Sequence, residues 1–73
     1  MFFPSRETVL ELRKTYPAGM RVELVQMDDF QAPPLGTQGT VRGVDDAGNI
    51  LMHWDTGSSL SVAYGVDIIR IIK

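Results

Sequence analysis

A single histidine and its neighbours are the residues of this chain whose types could support catalysis. His53 and Asp55 are two positions apart, and Ser58, Ser59 and Ser61 follow closely. A Ser-His-Asp triad needs a nucleophile on a strained turn and donors for the oxyanion, and the sequence offers neither signal. His53 and Asp55 alternate with apolar residues, which is typical of the polar face of a strand. We therefore predict no catalytic residue and place His53 on a solvent-facing or ligand-contacting strand face.

Arginines are the candidates for binding an anion. Arg6 and Arg13 are seven residues apart, a spacing that places both side chains on one face of a helix. Arg42 or Arg21 could add a bidentate guanidinium to the phosphates of a nucleotide-like ligand. A solvated helix face would give the same pattern, so both interpretations stay open.

A second candidate surface is the segment from Asp28 to Gln38. It contains Pro33 and Pro34, which make it unsuitable for a central strand, and it is long for a hairpin turn. Loops on a rigid scaffold often carry binding residues. We predict that Phe30 is exposed and contacts a ligand or partner, with polar contacts from its neighbours Asp28, Asp29 and Gln31.

Two carboxylate pairs, Asp28-Asp29 and Asp45-Asp46, raise the question of a divalent cation. Neither has the alternating oxygen ligands and distal glutamate of a calcium loop. Asp45-Asp46 followed by Gly48 is typical of a hairpin turn, and Asp28-Asp29 favours an Asx turn. The chain has no cysteine, which excludes disulfides and thiolate metal sites. We expect neither a metal nor a cofactor.

One helix and a series of short strands must position these residues. Ser5 is a good N-cap, Val9 and Leu12 recur at helical spacing, and Pro17 stops the pattern, which predicts a helix over 5–16. Alternating apolar residues and turn glycines predict strands over 21–27, 39–44, 49–55, 58–64 and 67–72, with a bulge or bend at Gly43. The predicted fold is mainly β, a five-stranded SH3-like barrel over residues 20–73 with one N-terminal helix, in a single domain of residues 1–73.

Composition narrows the classes of partner. The chain has 73 residues, with seven Lys and Arg against nine Asp and Glu. Residues 22–73 hold three basic and seven acidic side chains, so nucleic acid is possible as a partner but disfavoured by repulsion of its phosphates. The apolar runs are far shorter than the roughly 20 residues that span a bilayer. We expect a cytoplasmic protein with no membrane contact.

The last predicted strand favours self-association. Ile68, Ile69, Ile71 and Ile72 surround Arg70, so the strand is apolar on both faces. One face can fill a core, whereas the other needs a cover, because an open apolar edge invites association. We therefore predict a homo-oligomer.

Spaced glycines, acidic turns and a tryptophan carry a resemblance to a known family. The segment reads Pro34-x-Gly36-Thr37-x-Gly39-Thr40-Val41-x-Gly43-Val44-Asp45-Asp46-x-Gly48-x-Ile50-x-Met52-x-Trp54-Asp55-x-Gly57-Ser58-Ser59-Leu60, preceded by Phe3-Pro4-Ser5-Arg6 and Tyr16-Pro17-x-Gly19-x-Arg21-Val22. With these residues the chain resembles the bacterial domain-of-unknown-function family 4314 over nearly its whole length. More loosely, the segment is similar to KOW-type SH3-like barrels.

The family resemblance implies a small barrel from Gram-positive bacteria, their phages or conjugative elements, with no assigned activity. The expected function is that of a non-catalytic binding protein of a phage or mobile element, acting in the host cytoplasm. It would counteract host defence by sequestering a nucleotide-derived signal or by binding a host protein. The alternative is a KOW-like module that binds nucleic acid or a nucleoprotein.

Overall fold

The computed structural model describes residues 4–72, which form one helix and five strands. The predicted ranges also include residues 1–3 and 73, which lie outside the described residues. The fold is mainly β, as the sequence predicts, with a single helix at the N-terminal side. The elements are α1 (Arg6–Thr15), β1 (Arg21–Gln26), β2 (Gln38–Val44), β3 (Asn49–Trp54), β4 (Val62–Ala63) and β5 (Ile68–Ile71).

The ends of helix α1 are set by a capping serine at its start and by a proline after its last turn. The Ser5 hydroxyl accepts a hydrogen bond from the Thr8 backbone N–H at 3.2 Å, which satisfies one of the free first-turn donors. At the other end the Tyr16 N–H donates to the Leu12 carbonyl at 2.8 Å, and Pro17 disfavours helical geometry at the residue before it. The helix therefore lies within the predicted range 5–16, with Ser5 and Tyr16 as its caps.

The five strands form one antiparallel sheet in the order β4-β3-β2-β1-β5. The ladder between β2 and β3 shifts register between Val41 and Gly43, so the predicted irregularity at Gly43 is a bulge with Arg42 as the extra residue. The ladder between β1 and β5 shifts between Leu24 and Gln26. These shifts bend the sheet at two places.

The two edge strands are consecutive in the chain, which requires a curved sheet. In a flat sheet, β4 and β5 would be separated by four strand spacings, roughly 19 Å. The link between them is instead one helical turn, in which the Asp67 N–H donates to the Ala63 carbonyl at 3.0 Å, and such a turn spans only about 5 Å. Within residues 4–72 no ladder joins β4 to β5, so closure into an SH3-like barrel stays a prediction.

The predicted strand over 58–64 is wrong for most of its length, since β4 comprises only Val62–Ala63. Leu60 explains the difference. Its carbonyl accepts a hydrogen bond from the Trp54 indole Nε1 at 2.9 Å, and its N–H donates to the Ser58 hydroxyl at 3.2 Å. Because both backbone groups of Leu60 are engaged in this way, they cannot form the regular ladder with β3.

The core lies between α1 and the concave face of the sheet. Trp54 is fully buried. Its ring packs so closely on β2 that a Cβ at Gly39 would lie 2.6 Å from Trp54 Cε3, so only glycine fits there. The buried apolar side chains are Val9, Leu12, Val22, Leu24, Met27, Val41, Val44, Ile50, Met52, Trp54 and Val62.

Candidate functional site

The connection between β1 and β2, residues 27–37, presents an exposed aromatic ring, and we name it the Phe30 loop. The Asp29 carboxylate accepts a hydrogen bond from the Gln31 N–H at 2.8 Å, and the Ala32 N–H donates to the Asp29 carbonyl at 2.9 Å. These bonds form the predicted Asx turn. Phe30, at the centre of this turn, is 96% exposed. Asp28 is exposed beside it.

Both ends of the Phe30 loop are fixed to the fold. Met27 and Pro33 are buried, and they flank the Asx turn. On the return path the Gly36 N–H donates to the Leu24 carbonyl at 2.8 Å, and the Leu24 N–H donates to the Thr37 carbonyl at 2.8 Å. The Phe30 ring therefore projects from a loop that backbone bonds and buried side chains hold at either side.

The two helix arginines line one concavity of about 460 Å³, together with Val9, Leu10 and Asp46. The predicted sharing of a helix face by Arg6 and Arg13 is thus observed. Arg13, however, is already engaged: its Nε donates to the Val44 carbonyl at 3.1 Å, and its guanidinium lies 2.8 Å from Asp46 Oδ1. Of the two arginines, Arg6 makes no hydrogen bond or ion pair to another residue of the range 4–72.

The outer face of the sheet holds an ion pair that the sequence analysis did not identify. Arg21 contacts both oxygens of Asp55, at 2.8 Å and 2.6 Å, and its guanidinium also donates to the Thr40 hydroxyl at 3.0 Å. The hydrogen bond from Arg21 lowers the pKa of Asp55, and the charge of Arg21 acts in the same direction. Asp55 is therefore an ionised partner of Arg21 and is not available to orient His53.

His53 and Arg42 both lie exposed on this outer face. His53 on β3 is paired with Thr40 on β2, and Arg42 is the bulged residue two positions beyond Thr40. They are thus on adjacent strands, although no hydrogen bond joins either side chain to another residue between Pro4 and Ile72. The Ser-His-Asp arrangement considered from the sequence is therefore not formed, and His53 belongs to a polar strand face.

A second concavity, of about 480 Å³, is lined by uncharged residues that the sequence analysis mostly passed over. Gln31 of the Phe30 loop is the one predicted site residue in it. The feature of the sequence that could have indicated this concavity is the run of serines after Gly57, which the sequence analysis considers only as a source of a nucleophile. The lining consists of Gln31, Asn49, Ser58, Ser59, Leu60 and Ser61.

The predicted site residues therefore divide among three surfaces instead of one. Arg6 and Arg13 share the helix concavity, Arg42 and His53 share the outer sheet face, and Asp28 to Gln31 form the Phe30 loop. Within the described part of the chain, no group of three or more His, Asp or Glu side chains is placed to hold a metal ion. No helix in that part is long and apolar enough to cross a membrane.

These features define a small antiparallel β protein with an N-terminal helix, whose candidate binding surfaces are the Phe30 loop, the helix concavity, the outer sheet face and an uncharged groove. Comparison with known proteins supplies the family. A family model described as "Domain of unknown function (DUF4314)" matches residues 5–72, and the chain belongs to this family. The resemblance seen in the sequence is thus confirmed. No curated protein and no solved structure matches the chain.

Proposed function

We propose that this protein is a non-catalytic binding protein and that the Phe30 loop is its contact with a partner protein. The observation that carries the proposal is the exposure of Phe30, at 96%, on a loop that is held at both ends. A solvated aromatic ring gains much from burial, and aromatic anchors dominate the energetics of protein interfaces. A loop already ordered before binding also loses less conformational entropy.

The charges of the chain favour a protein over a nucleic acid as the partner. Arg13, Arg21 and Arg70 each form an ion pair with a carboxylate of the same chain. Phosphate binding would have to compete with these pairs, and the chain as a whole carries a net charge of −2. The KOW-like alternative therefore has less support. It predicts nucleic-acid binding that weakens steeply with added salt, and absence of binding at low salt would exclude it.

The setting implied by the family points to a host factor as the partner. We propose that the protein acts by occupying a surface of a larger host protein. We propose that the host factor belongs to a defence pathway, so that occupation of its surface blunts the response. This part of the proposal rests on the setting that the family resemblance implies, and the Phe30 loop supplies the means of attachment.

The decisive experiment is affinity capture with matched variants. The wild-type protein, Phe30→Ala and Leu10→Ala are immobilised in equal amounts and exposed to host-cell lysate, and the retained proteins are identified by mass spectrometry. We expect one host protein to be retained by wild type and by Leu10→Ala, which removes an exposed apolar side chain on the helix, and lost with Phe30→Ala. Equal unfolding free energies of the variants establish that folding is unchanged. Equal capture by all three proteins would refute the assignment to Phe30.

A nucleotide-derived signal is a second candidate ligand, favoured by the helix concavity. Arg6 and Arg13 line about 460 Å³, enough space for a small anion. Purified protein would be denatured and the supernatant analysed for nucleotides. Sequestration predicts release of one nucleotide species from wild type and none from Arg6→Met. A supernatant that contains no nucleotide, combined with no binding of added signalling nucleotides, would exclude a nucleotide-derived signal as the ligand.

A further inference from the structure

The chain segment Ser58–Ser61 runs beside β3 with a free outer edge. We propose that this edge pairs with an extended, uncharged peptide segment of the partner, next to the Phe30 loop. The proposal rests on the proposed function, because it names the part of the partner that this protein recognises. Strand addition to a sheet edge is a recurring mode of peptide recognition, in which backbone hydrogen bonds supply affinity and side-chain contacts supply specificity.

The direction of the backbone groups follows from the register. β4 pairs with β3 through Ile50↔Val62 and Asn49↔Ala63, and at the other end of the segment the Trp54 N–H donates to the Ser58 carbonyl at 2.9 Å. Between these two points the ladder is interrupted, because both backbone groups of Leu60 are engaged elsewhere. In an antiparallel strand, alternate residues direct their N–H and C=O groups to the same side. Ser58 and Val62 are bonded to β3 in this way, whereas the backbone groups of Ser59 and Ser61 make no hydrogen bond to it.

Ala63 supports this assignment from the other end of the segment. Its N–H donates to Asp67 Oδ2 at 2.8 Å, and its carbonyl accepts from Val66 and Asp67, so its backbone groups also point away from β3. At Ala63 the edge is closed by the turn to β5. At Ser59 and Ser61 it is open, because neither residue makes a backbone hydrogen bond to any residue from Pro4 to Ile72. Up to four donors and acceptors are thus ready for a partner strand.

The surroundings of this edge suit an uncharged peptide. The concavity of about 480 Å³ contains no ionisable side chain, and its hydroxyl and amide groups can both donate and accept. A charged ligand group would lose its hydration there without gaining a counter-charge. Gln31 lies in the same lining and directly follows Phe30 in the chain, so a peptide bound in this concavity lies next to the Phe30 loop.

The opposite edge of the sheet is protected in a way that this edge is not. β5 carries Arg70 in its middle, paired with Glu23 at 2.6 Å, and a charged side chain on an edge strand opposes addition of another strand. Ser58–Ser61 has no charge and no proline. Of the two edges, this one therefore favours a partner strand.

The test uses a displayed library of short random peptides as the probe. Selected peptides are synthesised and bound to the full-length protein, and amide hydrogen exchange is measured by NMR with and without peptide. We expect uncharged sequences to be selected and the amides of Ser59 and Ser61 to become protected. Because the proposal depends on those N–H groups, Ser59→Pro should weaken binding roughly tenfold or more, whereas Ser59→Ala, which keeps the N–H, should bind within about twofold of wild type.

A second measurement leaves the protein unaltered. Methylation of single backbone nitrogens in a selected peptide should abolish binding at alternate positions only, since every second residue of an added strand faces the sheet. The proposal is overturned if no peptide is selected, if the amides of Ser59 and Ser61 exchange equally fast with and without bound peptide, or if methylation has no alternating effect. Loss of capture by Phe30→Ala together with unprotected edge amides would reject the edge and leave the proposed function standing. Protected amides at Ser59 and Ser61 together with undiminished capture by Phe30→Ala would support the edge and reject Phe30 as the contact with the partner.

Discussion

The carboxylate of Asp45 organises the turn between β2 and β3. Its Oδ1 accepts hydrogen bonds from the backbone N–H groups of Ala47 at 3.0 Å and Asn49 at 2.8 Å, and its Oδ2 accepts from the Asn49 side-chain amide at 3.1 Å. The backbone bond from Asn49 is the main cause of a pKa below the ordinary 3.8, and the other bonds and the charge of Arg13 act in the same direction. The folded state therefore favours the ionised carboxylate.

This arrangement predicts a dependence of stability on acidity. A carboxylate whose folded pKa is lowered stabilises the protein above its ordinary pKa, and that contribution is lost as the pH falls through the folded pKa. Asp45→Asn should lower the unfolding free energy by about 1 kcal/mol at neutral pH, and the difference from wild type should shrink in acid. Urea unfolding at about pH 7 and about pH 2.5 measures both effects. Asp28→Asn is the control, because the exposed Asp28 makes no hydrogen bond or ion pair to another residue of the range 4–72 and should change stability little. An equally stable Asp45→Asn at neutral pH would contradict the prediction.

The ion pair between Arg21 and Asp55 predicts a change in one titration. Because the hydrogen bonds of Arg21 are the largest cause of the low pKa of Asp55, Arg21→Met should raise that pKa towards its ordinary value of 3.8. NMR titration of the Asp55 carboxyl carbon measures the shift directly. Arg42→Met removes another arginine from the same sheet face and should leave the Asp55 titration unaltered. An unchanged pKa in Arg21→Met would show that the ion pair is not formed in solution.

The sequence predicts the roles of some residues better than those of others. The separation along the chain between a residue and its partner explains the difference. Ser5 and Asp45 act on backbone groups within four positions, so their residue types and spacing were sufficient to predict a cap and a turn. Arg21 and Asp55 are 34 positions apart. Their meeting depends on the register of β1 on β2 and on the way the Asp55 N–H bonds to Gln38 beyond the end of β3. A local pattern does not contain that information.

Helix α1 is attached to the sheet by packing and by one arginine. The side chains of Val9 and Leu12 are buried on the inner face of the helix. Arg13 donates from Nε to the Val44 carbonyl and pairs with Asp46, so it joins the last turn of the helix to the end of β2 and the turn that follows. The sequence predicted the helix from its caps and apolar spacing, and it left Arg13 either as an anion ligand or as part of a solvated helix face. The structural role of Arg13 depends on where the helix lies on the sheet.

Arg13→Met tests this attachment. The substitution keeps an unbranched side chain and removes the donors, so the unfolding free energy should fall by about 1 kcal/mol. Arg6→Met removes an equal charge from the same helix and is expected to have little effect on stability. Chemical denaturation of the three proteins measures the difference. If both variants are equally stable, the contacts of Arg13 contribute nothing and its guanidinium is available to a ligand.

The strands illustrate why element boundaries are harder to predict than element types. β1, β2 and β3 lie close to their predicted ranges because burial alternates along β3 and along most of β1 and β2, with breaks at the end of β1 and at the bulge in β2. Residues 58–61 have the same alternating pattern but leave the ladder, since the Trp54 indole takes the Leu60 carbonyl. That competition between a side chain and the backbone requires the ring and the segment to be packed together, which the pattern of apolar residues does not specify.

At the scale of the whole molecule, β5 and the turn before it expose an apolar surface. Tyr64, Val66, Ile68 and Ile71 are each between 41% and 68% exposed. Ile69 and Ile71 are the register partners of the buried Leu24 and Val22, so they lie on the core side of the sheet, yet the helix packs mainly against β2. The sequence predicted an apolar last strand in need of a cover, and the structure leaves Ile71 and its neighbours partly uncovered.

We propose that a second copy of the chain covers this surface. The predicted homo-oligomer should then make the stability of the folded state depend on protein concentration. Self-association of the folded state raises the midpoint of unfolding as protein concentration increases. Sedimentation equilibrium should therefore detect a mass above the 8.1 kDa of one chain, and the urea midpoint should rise with concentration. Ile68→Ser should weaken both effects, because it removes an apolar side chain from this surface. Leu35→Ser, at an exposed position of the Phe30 loop, should not. A single-chain mass and a constant midpoint at every concentration would mean that this surface stays in contact with water.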